Sequence, residues 1–131
     1  MRIICDTHVL VFWADDPDKL GRAARAAVEQ GVKDGILACS DVSLWEIAML
    51  FAKGRLRRNA DAVLYMNDII EEMALDVLPV TPAIAVLSQS GIVPHGDPAD
   101  RLIAATALQH KARLITKDEK LQAVPGLETI W

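Results

Sequence analysis

With 131 residues, 52% hydrophobic side chains, 24% charged and 5% aromatic, the chain suits one domain, residues 1–131, with a sizeable core. Its Ala, Val, Leu and Ile content favours helices packed on a sheet over a β-sandwich. A net charge of -4 excludes a polycation made to hold a phosphate backbone over its whole surface; contact with nucleic acid would need local basic patches or bound metal.

In chain order, Ile3-Ile4-Cys5 is a short apolar run suited to a strand buried on both faces, and it ends on Asp6-Thr7. Val9 to Trp13 opens a helix. Asp15-Asp16-Pro17-Asp18 is a turn, with Asp18 a candidate cap for a helix over residues 20–30, and Gly31 and Gly35 bracket a break. Residues 35–39 form a second strand. Ser40 or Asp41 caps a helix to Lys53 with Gly54 as its stop, followed by the basic turn Arg55-Leu56-Arg57-Arg58. Residues 60–73 are helical, with Val63, Met66 and Ile70 on the apolar face, and residues 76–80 are a third strand. Thr81-Pro82 and Asp97-Pro98 each start a helix, running to about residues 89 and 110. Residues 113–116 are a fourth strand, 117–121 a helical turn, and 127–131 a closing edge strand. The alternation means βαβ units and a mainly parallel α/β sheet of about five strands with helices on both faces.

Cys5 and Cys39 lack CxxC or His-paired spacing, which speaks against zinc and for reduced, buried thiols. The start lacks a secretory pattern, and the uncharged residues 77–96 are broken by Pro79, Pro82 and Pro94 well short of the ~20 apolar residues a membrane span needs. A cytoplasmic setting without membrane is the expectation.

The acids carry the functional reading. Asp6 ends a strand, where open parallel sheets bind ligands; alone it is also a helix cap. Glu46 is the only polar side chain between Leu44 and Ala52, with Val42, Ser43, Met49 and Leu50 on its own face. A carboxylate there is costly without a partner or a metal, although Ser43-x-x-Glu46 also fits a capping box. Asp97 reads as an N-cap. Asp100 is a first-turn acid that can hold a metal as well. Asp118, past the fourth strand, falls near Asp6 if that strand lies beside the first. Converging acids repel, and oxygen donors without a His or Cys cluster suit Mg²⁺ or Mn²⁺. The histidines His8, His95 and His110 read as structural or surface residues, with a role for His95 beside Asp97 kept open. Trp13 and Trp45 read as core. There is no Gly-rich phosphate loop, GxSxG or HExxH.

Asp6-Thr7-His8, Ser43-Leu44-Trp45-Glu46-Ile47, the run from Asp97-Pro98-Ala99-Asp100-Arg101 to Ala107, and Thr116-Lys117-Asp118 together resemble PIN domains, in particular the VapC toxins of type II toxin–antitoxin systems. The resemblance spans essentially the whole chain. It implies an acidic site of Asp6, Glu46, Asp100 and Asp118, with Thr116, and Thr7 beside Asp6, as nearby hydroxyls and Asp97 as an extra acid. It further implies Mg²⁺- or Mn²⁺-dependent hydrolysis of RNA by metal-activated water, a homodimer, and a VapB-type antitoxin that binds DNA and masks the site. Arg55, Arg57 and Arg101 become candidate backbone contacts. Two other classes are a receiver-like, metal-dependent binding module, which would pair acids near the first strand, and an inactive PIN-like domain, which would have lost acids.

Overall fold

The computed structural model describes residues 1–56, 60–94 and 96–131. Five strands, β1 (Ile3–Cys5), β2 (Leu37–Ser40), β3 (Asp76–Leu78), β4 (Arg113–Ile115) and β5 (Thr129–Ile130), form one sheet in the order β3-β2-β1-β4-β5. Every pairing is parallel. Seven α-helices are described: α1 (Thr7–Asp15), α2 (Arg22–Asp34), α3 (Val42–Ala52), α4 (Ala62–Glu72), α5 (Pro82–Ser88), α6 (Pro98–Gln109) and α7 (Glu119–Gln122). β1 is central, so the carboxyl ends of β1 and β4 open beside each other in the middle of the sheet.

Successive side chains of a strand point to opposite faces, and the core divides accordingly. Ile3, Cys5, Leu37, Cys39 and Ile115 pack with Val9 and Leu10 of α1, Val28 of α2, Ile47 of α3 and Ile69 of α4. Ile4, Ala38 and Leu114 pack on the other face with Ile103, Ala104 and Ala107 of α6 and Leu121 of α7. Fully burying one such aliphatic side chain contributes about 1.5–3 kcal/mol. Burial also lifts both thiols, Cys39 to about 12, so they are protonated core residues as expected.

Several local expectations are corrected. α2 runs through Gly31 to Asp34 and stops at Gly35, which takes φ +65°. Gly31 is not a breaker: a Cβ there would stand 2.5 Å from Leu37 Cδ2, so the glycine lets the helix lie against β2. Gly21, not Asp18, occupies the cap position of α2, because Pro17–Lys19 forms a separate 3₁₀ turn and Asp18 faces Arg25 at 3.4 Å. Asp41 makes no cap; its carboxylate accepts from the Val80 amide at 3.3 Å and ties the start of α3 to the end of β3. On α4 the buried stripe is Tyr65, Ile69 and Met73, while Val63 is 65% exposed; the Tyr65 ring meets Phe51 edge-on at 5.1 Å. Trp45 is 56% exposed rather than core, since α3 turns Ile47 and Ser43 inward.

Candidate active site

Asp6 is placed by strand and helix together. Its amide donates to Ile115 O at 3.0 Å as β1 pairs with β4, and the next residue starts α1. Its carboxylate, only 3% exposed, accepts from the Thr7 amide at 2.8 Å and from the Thr116 hydroxyl at 2.7 Å. Capping and site geometry therefore coexist in one side chain. Thr116 Oγ1 also accepts from the Asp118 amide at 3.1 Å, so this hydroxyl joins the ends of β1 and β4 as the sheet order requires.

Glu46 enters from α3. Thr7 Oγ1 lies 2.5 Å from Glu46 Oε1 and 2.9 Å from Ser43 Oγ. Its single proton goes to the carboxylate, the stronger acceptor. Ser43 and Glu46 thus face α1 and form no capping box. Burial, chiefly, raises the Glu46 pKa, the Thr7 hydrogen bond opposes that, and the negative charges of Asp6 and Asp97 add to it.

α6 brings the remaining acids. Asp97 is its N-cap, its Oδ1 accepting from the amides of Ala99 at 2.8 Å and Asp100 at 3.2 Å. Pro98 fits the first helical position because it has no amide to satisfy. Asp97 also belongs to an acidic group: Glu46, Asp97 and Asp100 each offer a carboxylate oxygen within 4.8 Å of the others. The candidate metal-binding group among the described residues is therefore drawn from two helices, with Asp97 inside it.

Beside these acids a cleft of about 290 Å³ has Asp6, Glu46 and Asp100 in its lining. Its other wall is apolar and aromatic, from Val11, Phe12, Met49 and Leu50. Asp118 lies outside the three-acid group: its Oδ1 caps α7 by accepting from the Lys120 amide at 2.9 Å, and its charge acts on His8. Arg101 turns back, its Nη2 donating to Gly96 O at 3.3 Å. Arg55 is exposed on the turn after α3. Arg57, Arg58 and His95 lie outside the described residues. A larger hollow of about 520 Å³, lined by Met1, Lys111, Arg113 and Glu128, opens where the strands begin and gathers no acidic cluster among the described residues.

His8 is the site residue that the sequence pattern did not single out. Its Nε2 accepts from the Lys117 amide at 3.1 Å, which puts the ring proton on Nδ1, 3.5 Å from Asp6 Oδ2. Burial, the largest influence, lowers its pKa, so the neutral ring is favoured. Its place two residues after a strand-end acid, on the first turn of a helix, was the available signal.

A family model described as the PIN domain matches residues 3–127. Ribonuclease VapC22 of Mycobacterium tuberculosis is 33% identical over 132 residues, covering 98% of each chain. Among solved structures, the VapBC2 complex of Rickettsia felis bound to a promoter DNA fragment aligns with a TM-score of 0.73 at 18% identity, over 98% of this chain and 97% of that one. A DNA-bound VapBC complex from Salmonella typhimurium gives 0.73 at 16% identity, over 98% and 96%. At such identities the solved structures speak for the fold, whereas the family match and the mycobacterial relative span nearly the whole sequence. The chain belongs to the PIN domain family.

Proposed function

We propose that this protein is a divalent-metal-dependent endoribonuclease and the toxin of a type II toxin–antitoxin pair. The observation that carries this reading is the meeting of Glu46, Asp97 and Asp100 at the edge of a cleft that also holds Asp6. A carboxylate on an otherwise apolar helix, raised by burial and by its acidic neighbours, is a group in want of a cation.

The donor set fits a hard ion. It offers carboxylate oxygens, both thiols are buried and protonated, and His8 Nε2 is already taken by a backbone amide. The grouping of carboxylate oxygens from Glu46, Asp97 and Asp100 within 4.8 Å of one another is the donor type and spacing that a hard divalent ion would take. Glu46, Asp97 and Asp100 would hold it, with Asp6 in the wall of the same cleft. When bound, Mg²⁺ or Mn²⁺ supplies activation of water and neutralisation of charge on the phosphoryl oxygens.

The chain's own residues do the positioning. The Thr7 hydroxyl favours the ionised form of Glu46 against burial and ties the carboxylate to α1 at the cleft. Thr116 and the Thr7 amide fix both oxygens of Asp6. Asp118 is assigned to the border of the site: its amide donates to Thr116 Oγ1, which ties it to the Asp6 network, while its carboxylate caps α7. The apolar wall of Val11, Phe12, Met49 and Leu50 restricts water around the reacting phosphate. A VapB-type antitoxin that masks this cleft, itself the DNA-binding partner, and a homodimer complete the reading. Its wild-type test is incubation of the protein with structured and unstructured RNAs, with Mn²⁺ or EDTA, and mapping of fragment ends. Internal cleavage that needs the metal is the expected result; intact RNA under every metal tested would contradict it. Induced expression should also arrest growth, relieved by the small protein encoded beside the gene.

A further inference from the structure

A net charge of -4 and crowded acids at the cleft leave unexplained how a polyanion is drawn there. The rim formed by α1 and the β4–α7 connection answers this. Lys117 Nζ stands 5.3 Å from the centroid of the Phe12 ring, and Lys19 Nζ 5.5 Å from the same centroid. Phe12 lines the cleft, and both lysines are exposed. The ring is itself braced by His8 at 5.5 Å and Trp131 at 6.4 Å between centroids. Two cations are thus collected by one aromatic side chain at the edge of the site, a placement a ring face favours because its π electrons attract positive charge.

Lys117 is the better placed of the two. Its amide is held by His8 Nε2, and it follows Thr116, which donates to Asp6, so its backbone is pinned at the acids. Lys19 shares its turn with Asp15, Asp16 and Asp18, of which Asp18 faces Arg25. Arg101, the residue after Asp100, is engaged with Gly96 O.

Resting on the ribonuclease reading above, we propose that the RNA strand leaves the cleft over the Phe12 rim, where Lys117, supported by Lys19, covers phosphates next to the scissile one. Lys117 and Lys19 are substrate-binding residues in this account and take no part in bond cleavage. The metal brings charge to one phosphate only, whereas a strand carries one on every nucleotide, so the neighbours need cations of their own.

The test is cleavage of a single-stranded RNA by the full chain at several salt concentrations. Lys117→Ala and the Lys19→Ala/Lys117→Ala pair should raise KM with kcat retained. The salt dependence of log(kcat/KM) should become shallower by about 0.7 for each phosphate that is no longer neutralised. Lys117→Arg should restore most of KM, and Lys111→Ala, at the far hollow, should change nothing. The melting response to Mn²⁺ should match wild type in all of them. A double variant with the wild-type KM and salt slope would overturn this inference alone. A wild-type protein that neither binds nor cleaves RNA would overturn the ribonuclease reading, and this inference with it.

Discussion

Thr7 and Glu46, 39 residues apart, are joined by a hydroxyl–carboxylate hydrogen bond of 2.5 Å that locks the first turn of α1 to the middle of α3. This bond supports the ionised form of Glu46 against burial and against Asp6 and Asp97. Thr7→Val keeps the shape and removes the donor. Metal-induced stabilisation should weaken and cleavage should fall, in proportion to the fraction of Glu46 that takes up a proton; Thr7→Ser should retain both. Titration of Mn²⁺ against melting temperature checks this, and a Thr7→Val protein with the wild-type metal response would remove Thr7 from the site.

The same shift has a pH signature. Glu46 has a folded pKa above its ordinary 4.5, so the folded state binds its proton more readily than the unfolded chain does. Metal-free stability therefore falls as pH rises from 4.5 through the raised value, and below 4.5 the penalty is absent. His8 works in reverse: its pKa lies below 6.5, so its contribution is lost as pH falls through that region. In EDTA, Glu46→Gln should melt above wild type near neutral pH, and the difference should close toward 4.5. Melting curves across that range, with both proteins in one buffer series, measure it. A constant difference would assign Glu46→Gln a packing effect instead.

Gly31 supplies a purely structural prediction. A methyl group there meets Leu37 Cδ2 at 2.5 Å, so Gly31→Ala sacrifices packing for helix propensity. Overpacking a core position costs about 1–3 kcal/mol, more than the roughly 1 kcal/mol that Ala gains over Gly inside a helix. Net destabilisation in urea unfolding is expected, and a more stable Gly31→Ala protein would mean that α2 can move off β2 without cost.

The strands and most helix starts were legible because they rest on local chemistry. An apolar run closed by Asp6, Thr81 before Pro82, and Asp97 before Pro98 each name their own structure. Glu46 stood out as a lone acid in an apolar helix, and its partners follow from the parallel sheet and the packing of α3 on α6. What was misread depends on neighbours distant in sequence. Gly31 signals a turn until Leu37 is placed beside it, and Trp45 signals core until Ile47 is seen to occupy the inward face. The apolar residues of α4 are numerous enough to support either of two stripes, and Phe51 selects the one through Tyr65. His8 emerges only when β4 is laid beside β1, because the Lys117 amide that fixes its ring lies 109 residues away.

The central claim, that Glu46 and Asp100 hold a catalytic metal ion rather than merely cap or pack their helices, is tested most directly by assaying Glu46→Gln and Asp100→Asn for RNA cleavage with Mn²⁺ melting shifts measured in parallel. Asp61→Asn serves as control, since Asp61 caps α4 through the Leu64 amide and Asn caps equally well. As a simple first-turn acid, Asp100 would lose only about 0.3–1 kcal/mol of stability with Asn, and cleavage would persist. With Glu46 and Asp100 as metal-holding acids, both variants should show metal-free stability equal to or above wild type, a reduced Mn²⁺ shift and cleavage lowered by orders of magnitude, with Asp61→Asn unchanged. Near-normal cleavage together with a normal Mn²⁺ shift in both Glu46→Gln and Asp100→Asn would contradict it.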